Sequence, residues 1–361
     1  MGLFGKKNIF LGIDFGASSI KVVELTFKNQ RPELTNYGYA SVPDGVQRGE
    51  VLAAILKKMK PRTRAAYVAL PGSSGLVTLI AFPQMSHAEL AQAVSFEARK
   101  HIPVPLEEVN VSWDVVAQDK DLTQTDAQNA QNTQDVHAQQ AQPQKSHLQQ
   151  KEGSIYVLLV AAPRKDVAEY ESYIAQASVN LHALELETFS LVRALVGEDM
   201  GRFLIADIGA HSTNIILVEK GVIRANRNVG IGGANITHSI VEALGLDAQR
   251  AEAYKHEQSD LLSEKGVARQ SVDMIVEEMR RVGTSHGTAM ADNIIITGGG
   301  SNLKGIDSYI GRALGTSVAL GNPWARITVD DAVARYAEAL RGTYTVAVGL
   351  ALRGVEEYRR S

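Results

Sequence analysis

Short apolar runs alternate with helix-periodic and polar segments along the chain, a pattern typical of an α/β protein. The runs at 155–162 and 293–297 are rich in apolar and β-branched residues and predict buried strands. The segment 86–101 predicts a helix that faces a core, because its apolar residues recur at helical spacing: Leu90, Ala93, Val94 and Ala98. With 361 residues, the chain is long enough for two domains with separate cores.

The chain contains an internal repeat of a strand–turn–strand segment. Residues 10–19 and 203–212 both read F-L-x-x-D-x-G-A-x-S, and each is followed by a β-branched run. The two aspartates, Asp14 and Asp207, lie more than half of the chain length apart, which excludes a short solenoid repeat. Because the flanks match as well as the D-x-G core, we interpret the repeat as the opening hairpins of two related domains.

Each copy of the repeat has chemistry suited to a phosphate group. An apolar strand ends in an aspartate, and a turn with glycine and small hydroxyl residues leads into the next strand. Backbone N–H groups and hydroxyls in such a turn form an anion-binding concavity. The aspartate beside it suits a hydrated Mg²⁺ ion, which keeps several waters and takes few carboxylates. Two such hairpins facing one another would hold a polyphosphate from both sides.

A third motif is the glycine cluster Gly298, Gly299 and Gly300, which follows the predicted strand 293–297. Three glycines let the backbone approach a flat ligand closely, so we predict that the cluster contacts a nucleoside and opens the helix 306–314. Taken alone, a triple glycine is equally typical of a plain strand–helix loop. The two aspartate hairpins at domain spacing favour the nucleoside.

Composition excludes several other functions. The absence of cysteine excludes disulfides, thiolate catalysis and cysteine-ligated metals. The net charge of −3 gives no sign of a nucleic-acid-binding surface. No apolar run reaches the ~20 residues of a membrane-spanning helix, and the start of the chain lacks a signal-peptide core. We therefore expect a cytoplasmic protein without direct membrane insertion, whose membrane association would come through a partner.

The three motifs resemble the phosphate-1, phosphate-2 and adenosine motifs of the actin-like ATPase superfamily, which includes actin, sugar kinases, heat-shock chaperones and FtsA. The resemblance implies an α/β fold in which two duplicated halves enclose a nucleotide cleft, with ATP and Mg²⁺ as cofactors. It also implies two connecting helices, at 187–194 and 346–351, and an A-E-x-x-K segment at 251–255 that contacts ribose and base.

The nucleotide-binding residues implied by the superfamily motifs fall into four groups, with Asp14 and Asp207 holding Mg²⁺ through water. They are Asp14, Gly16, Ala17, Ser18, Ser19 and Lys21; Asp207, Gly209, Ala210, His211, Ser212, Thr213 and Asn214; Glu252 and Lys255; and Gly298, Gly299, Gly300 and Ser301. His211 departs from the family pattern, since it replaces a second glycine. Its side chain limits backbone approach to a γ-phosphate, and it could either donate to a phosphate oxygen or equally be an ordinary surface histidine. Binding is therefore better supported than fast hydrolysis.

Within the superfamily the chain resembles the PilM family of type IV pilus inner-membrane assembly proteins. The matching segments are the LFGKK start, L-G-I-D-F-G-A-S-S-I-K-V-V-E-L and the closing T-V-A-V-G-L-A-L-R-G. The resemblance implies an ATP-binding scaffold needed for pilus biogenesis and twitching motility. It also implies recruitment to the inner membrane by the N-terminal peptide of a PilN-like partner, with other pilus platform or motor proteins as further partners.

Two alternative functions stay open. An FtsA-like polymerising membrane tether is disfavoured, because the segment 354–361 is too short and polar for an amphipathic membrane helix and the outer lobe near 255–271 is reduced. An active ATPase or phosphotransferase needs a base at the γ-phosphate. Glu187 is the motif-matched candidate, although it could equally cap or support its helix.

The order of predicted elements divides the chain into three regions. The first actin-like domain comprises 1–76, 184–201 and 341–361, and the second comprises 202–340 with a reduced outer lobe. Between them, 77–183 is predicted to form an inserted α+β subdomain of the FtsA type, with the element order β–α–β–β–α–β. Its Gln-rich segment 118–153 has almost no large apolar residue, so we expect a disordered hairpin loop or a partner-binding segment.

Overall fold

A computed structural model describes residues 8–43, 45–118, 153–258, 260–287, 289–330 and 340–361 of the chain. The LFGKK start and most of the Gln-rich segment, for which a disordered loop was predicted, lie outside the described residues. The chain forms two compact units, Met1–Gly75 with Ala162–Ser361 and Leu76–Ala161.

The larger unit contains two five-stranded sheets, of which the first has the strand order β3-β2-β1-β4-β8. Strands β1 to β3 form an antiparallel meander, while β4 is parallel to both β1 and β8. The first two strands are buried along most of their length, as their continuous apolar runs predict. The five strands are β1 (Ile9–Phe15), β2 (Ser19–Lys28), β3 (Arg31–Ser41), β4 (Ala65–Leu70) and β8 (Asn180–Leu186).

The second sheet repeats this topology with the order β11-β10-β9-β12-β13. Again three antiparallel strands precede two parallel ones. Asp207 lies opposite Asn214 in its hairpin, as Asp14 lies opposite Lys21 in the first. The internal duplication predicted from the repeated motif is therefore confirmed. The strands are β9 (Arg202–Ile208), β10 (Thr213–Glu219), β11 (Val222–Val229), β12 (Asn293–Thr297) and β13 (Val318–Leu320).

Helices cover both sheets of the larger unit. In the first half they are α1 (Arg48–Met59), α3 (Arg164–Gln176), α4 (Glu187–Leu195) and α9 (Thr345–Arg360). In the second half they are α5 (Gly233–Leu244), α6 (Ala248–Glu257), α7 (Arg269–Gly283) and α8 (Ile306–Leu314). The second core joins sheet to helices through fully buried side chains such as Leu204, Ile240 and Ile275.

Helices α4 and α9 are the connecting helices predicted at 187–194 and 346–351, and they pack against each other at Gly349. A Cβ atom at this position would overlap the carbonyl oxygen of Ser190 on α4. On the sheet side, a Cβ atom at Gly12 of β1 would overlap the carbonyl oxygen of Ala347 on α9. Helix α9 is therefore held by backbone contact with both α4 and β1.

In the described residues of the smaller unit, a helix packs on a three-stranded sheet whose first and last strands in the chain, β5 (Leu76–Pro83) and β7 (Ser154–Pro163), are antiparallel. The third strand is β6 (Val109–Gln118), the strand order is β5-β7-β6, and the helix is α2 (His87–His101). Ser86 and Glu89 form a capping box at the start of α2. The predicted apolar stripe is buried, because Leu90, Val94 and Ala98 belong to the core of this unit.

The structure places two predicted elements of the insertion elsewhere. Helix α3 and strand β8 were assigned to the inserted subdomain, but β8 pairs in parallel with β4 of the first sheet. The β4–α3–β8 segment is thus a parallel crossover into which the smaller unit is inserted. The sequence pattern could not reveal this, because a strand's periodicity carries no information about its pairing partner. The three domain limits themselves stay a prediction.

The outer lobe of the second half is small. Between α6 and α7 the described residues 260–268 form turns, with no helix or strand among them. This agrees with the limited room that the sequence leaves between Lys255 and Ser271. Of the helices in the described ranges, none is long and apolar enough to cross a membrane.

We predict that Gly349→Val destabilises the larger unit by about 1–3 kcal/mol, because the new side chain must push α4 and α9 apart. The check is the midpoint of thermal unfolding, measured by circular dichroism. The matched control is Arg359→Ala on the exposed face of the same helix, which should change stability by no more than about 0.5 kcal/mol. Equal midpoints for the two variants would contradict the close crossing of α4 and α9.

Candidate functional site

The two hairpins open onto one deep cleft of about 1190 Å³ within the larger unit. The cleft brings together all but two of the residues predicted to bind nucleotide, and Glu187 lines it as well. The two that do not line it are Thr213 and Ser301. The residues it brings together are Asp14, Gly16, Ala17, Ser18, Ser19, Lys21, Asp207, Gly209, Ala210, His211, Ser212, Asn214, Glu252, Lys255, Gly298, Gly299 and Gly300.

The first hairpin places a buried ion pair at the cleft. Asp14 is the last residue but one of β1, and Lys21 lies opposite it on β2. The distance from Nζ of Lys21 to Oδ2 of Asp14 is 3.2 Å. Burial by itself would lower the pKa of Lys21, but the charge of Asp14, the hydrogen bond to it and the charge of Asp207 together raise that pKa. A Cβ atom at Gly16 would lie 2.5 Å from Nζ of Lys21, so a side chain there would displace the lysine ammonium group. Lys21 therefore stays charged at the bottom of the cleft.

The turn of this hairpin is fixed from outside by Arg48, the first residue of α1. Its guanidinium donates to the carbonyl oxygens of Gly16 at 2.7 Å and Ala17 at 2.8 Å. The N–H group of Val42 donates to the next carbonyl, that of Ser18, at 2.9 Å. Because protein donors occupy these three acceptors, their negative charge is partly neutralised, which makes the turn suitable for an anion.

The second hairpin is closed by backbone bonds. Gly209 N–H donates to the Ser212 carbonyl at 2.9 Å, and the N–H of Gly233 at the start of α5 donates to the Gly209 carbonyl at 2.9 Å. Thr213 is fully buried and its hydroxyl donates to the Ile231 carbonyl at 2.7 Å, so it supports the hairpin instead of facing the cleft. His211 is exposed at the cleft.

Three carboxylates, Asp14, Glu187 and Asp207, share the bottom of the cleft. The pKa of Glu187 is raised mainly by burial deep in the protein and secondly by the negative charge of Asp207. Burial, followed by the charge of Asp14, raises the pKa of Asp207. The charged forms of both groups are thus disfavoured, although Lys21 offsets part of the effect. A bound cation would relieve this repulsion.

The oxygen atoms at this point fit a hydrated Mg²⁺ ion. Besides the carboxylates, the buried amide oxygen of Asn214 has no hydrogen-bond partner among the described residues, while its Nδ2 donates to Thr188 at 3.2 Å. Across the part of the chain that the structure describes, no three His, Cys, Asp or Glu side chains are close enough to chelate a metal directly. Mg²⁺ favours an arrangement in which a few protein oxygens bind the ion and water molecules complete its coordination shell.

The glycine cluster lies against the second hairpin. Gly298 has a positive φ of 83°, and a Cβ atom there would overlap Oδ1 of Asp207. By contrast, a Cβ atom at Gly299 would meet no atom within 4 Å, so this position faces open space in the cleft. The cluster leads into a 3₁₀ turn, Gly299–Asn302, and not directly into α8 as expected. Ser301 closes this turn, because its hydroxyl donates to the Gly298 carbonyl at 2.7 Å.

The predicted base-contacting pair lies on α6, at the second-half side of the cleft. Lys255 is buried and its Nζ donates to Glu252 at 2.7 Å and to Thr237 on α5 at 3.0 Å. Burial would raise the pKa of Glu252, but its hydrogen bonds from Lys255 and Thr237 lower it. The pair therefore joins α5 to α6 and presents a charged network to the cleft.

Comparison with known proteins identifies the family. The family model described as "Type IV pilus assembly protein PilM" matches residues 12–355. The chain belongs to the PilM family. A chain in a solved structure titled "PilM-PilN type IV pilus biogenesis complex" is similar, with a TM-score of 0.78 and 24% identity over 96% of this chain and 98% of that chain.

Two other solved structures share the fold of this PilM-family protein. The ethanolamine utilization protein EutJ from Carboxydothermus hydrogenoformans has a TM-score of 0.56 and 13% identity over 95% of this chain and 89% of its own. MreB5 of Spiroplasma citri bound to AMPPNP has a TM-score of 0.50 and 11% identity over 99% of both chains. The chain has the duplicated actin-like fold, as the motifs predicted.

Several residues outside the sequence motifs also line the cleft of this PilM-family protein. The 70s loop after β4 contributes Pro71, Ser73 and Ser74. A signal was present, because Pro71-Gly72 follows directly after β4 and the carboxyl ends of parallel strands meet at one edge of a sheet. Arg48 and Tyr170 carry no comparable local signal, since their helices reach the cleft only through tertiary packing.

The glycine geometry yields a matched pair of variants. We predict that Gly298→Ala lowers the stability of the ligand-free protein by about 1–3 kcal/mol, because the backbone is left-handed and the methyl group would collide with Asp207. Gly299→Ala should cost no more than about 0.5 kcal/mol, since its methyl group enters open space. The measurement is thermal unfolding of both variants. Equal losses would contradict the observed placement of the cluster against Asp207.

Proposed function

We propose that the protein is a cytoplasmic ATP- and Mg²⁺-binding scaffold of the type IV pilus assembly platform, active in pilus biogenesis and twitching motility. A PilN-like partner recruits it to the inner membrane. One observation supports the proposal that the protein binds nucleotide. Asp14 and Asp207, from the two duplicated hairpins, line one cleft together with Gly299. Membership of the PilM family supports the pilus part.

The cleft residues would hold the nucleotide in a defined direction. The nucleoside would lie against Gly299 and the Glu252–Lys255 pair on the second half. The phosphates would extend between the two hairpin turns towards Lys21, whose charge is maintained by Asp14. Asp14, Asp207 and the free oxygen of Asn214 would hold the hydrated Mg²⁺, whose charge neutralises that of the carboxylates and the phosphates.

We propose at most weak ATPase activity. Glu187 is the candidate base, but its Oε1 already accepts a hydrogen bond from the N–H group of Gly72 at 2.8 Å. In this arrangement Glu187 serves better as an acceptor that fixes the 70s loop than as the group that activates water.

A PilN-like peptide is the partner that the relatives favour. A similar solved structure is titled as a complex of PilM with PilN, which supports an equivalent assembly for this chain. Nucleotide bound between the two halves could alter their closure and thereby the affinity for the peptide. Such coupling is limited to the difference in peptide affinity between open and closed forms, typically about 1–3 kcal/mol.

We predict that ATP with Mg²⁺ stabilises the protein by about 2.7 kcal/mol at 100 times its Kd, and that Asp207→Asn removes most of this gain. The ligand-free variant should be no less stable than the wild type, because the substitution removes a charge that its neighbours disfavour. The check is the melting temperature with and without ATP and Mg²⁺.

The control for this experiment is Asp292→Asn, an exposed aspartate outside the cleft, which should keep the full shift in melting temperature. Asp14→Asn should also reduce the shift but should lower the stability of the ligand-free protein, because it leaves Lys21 without its ion-pair partner. A full shift in both cleft variants would contradict the Mg²⁺ assignment.

We predict that the N-terminal cytoplasmic peptide of the cognate PilN-like protein binds, with an affinity that changes about 5- to 150-fold when ATP is present. Isothermal titration calorimetry with this peptide, and with a scrambled peptide as the control, measures both affinities. Absence of binding with and without ATP would reject the pilus-scaffold proposal and favour an FtsA-like tether. Equal peptide affinities with and without ATP would leave the scaffold proposal standing but would show that nucleotide does not control peptide binding.

A further inference from the structure

Tyr170 on α3 has a hydroxyl that the fold itself does not use. Its side chain is 9% exposed and lines the cleft, and its hydroxyl has no hydrogen-bond partner in the described part of the chain. Tyr173, one turn along the same helix, differs in this respect, because its hydroxyl donates to Glu169. Because no protein acceptor in the described residues uses this hydroxyl, it is available to donate a hydrogen bond to a ligand in the cleft.

The ring of Tyr170 is held rigidly against the first hairpin. It packs edge-to-face on Phe15, with 5.5 Å between the ring centroids and an interplanar angle of 79°. The ring of Tyr173 lies 5.6 Å from both of these rings. Phe15 is itself buried and follows Asp14 directly. The position of the Tyr170 hydroxyl is therefore fixed relative to the phosphate-binding turn before any ligand arrives.

The surroundings of Tyr170 define which end of the cleft it faces. The charges that act on its hydroxyl are those of Arg48, Asp14 and Glu187, all on the first half of the unit. The nucleoside end, at Gly299 and Lys255, belongs to the second half. Burial raises the pKa of Tyr170, so the hydroxyl stays protonated and remains a donor at physiological pH.

We propose that the Tyr170 hydroxyl donates a hydrogen bond to the terminal phosphate of a bound nucleoside triphosphate, and that this bond makes the site discriminate ATP from ADP. The inference rests on the proposed function, since it requires nucleotide in this cleft. A hydrogen bond to a charged phosphate oxygen is stronger than one between neutral groups, so its loss has a measurable effect on affinity. Tyr170 acts here as a binding residue that recognises the length of the phosphate chain.

The test compares Tyr170→Phe with Tyr173→Phe, which removes a hydroxyl from the same aromatic cluster that is already paired with Glu169. Calorimetry with ATP and with ADP, each with Mg²⁺, gives four affinities for the variants and two for the wild type. Tyr170→Phe should weaken ATP binding about 10-fold and leave ADP binding unchanged. Tyr173→Phe should leave the ratio of the ATP and ADP affinities as in the wild type.

The melting temperature of ligand-free Tyr170→Phe provides a second readout. It should equal or exceed that of the wild type, because the lost hydroxyl has no protein partner; a lower value would assign the hydroxyl a structural role and overturn the inference. If the wild type binds ATP but Tyr170→Phe leaves its affinity unchanged, or weakens ATP and ADP equally, the inference fails and the proposed function stands. If the wild type binds neither nucleotide, both are overturned.

Discussion

The repulsion among Asp14, Glu187 and Asp207 is the constraint on which the rest of the structure depends. Burial and mutual charge disfavour ionisation of Glu187 and Asp207, and Lys21 compensates only in part. Such an arrangement costs stability unless a cation completes it, and the fold holds it by burying the strands that carry these groups. A cation bound at this point would offset the repulsion between the carboxylates.

Close backbone contact is what allows these charged groups to meet. Gly12 and Gly349 let α9 lie directly on β1 and α4, and Gly298 lets its loop pass beside Asp207. A side chain at any of these positions would separate the elements that frame the cleft. The glycines thus have a packing function here that is distinct from their ability to approach a ligand, which Gly299 retains because it faces open space.

The site and the family support different parts of the function. Membership of the PilM family places the protein in type IV pilus assembly. The chemistry of the cleft supports nucleotide binding, and the hydrogen bond from Gly72 to Glu187 favours retention of nucleotide over rapid hydrolysis. A scaffold that binds ATP without consuming it quickly can use the nucleotide to hold its two halves together. Tyr170 would add sensitivity to the terminal phosphate.

The sequence alone determined the two aspartate hairpins, the helix Ile306–Leu314 and the duplicated plan, because these features depend on residues close to one another in the chain. Only the tertiary structure decided that β8 joins the first sheet and that Arg48 and Tyr170 reach the cleft. Those outcomes depend on contacts between distant segments, and neither a strand's periodicity nor a helix's apolar stripe specifies its partner. Local chemistry could therefore name most of the motif residues that line the cleft, while the residues that support and surround them required the fold.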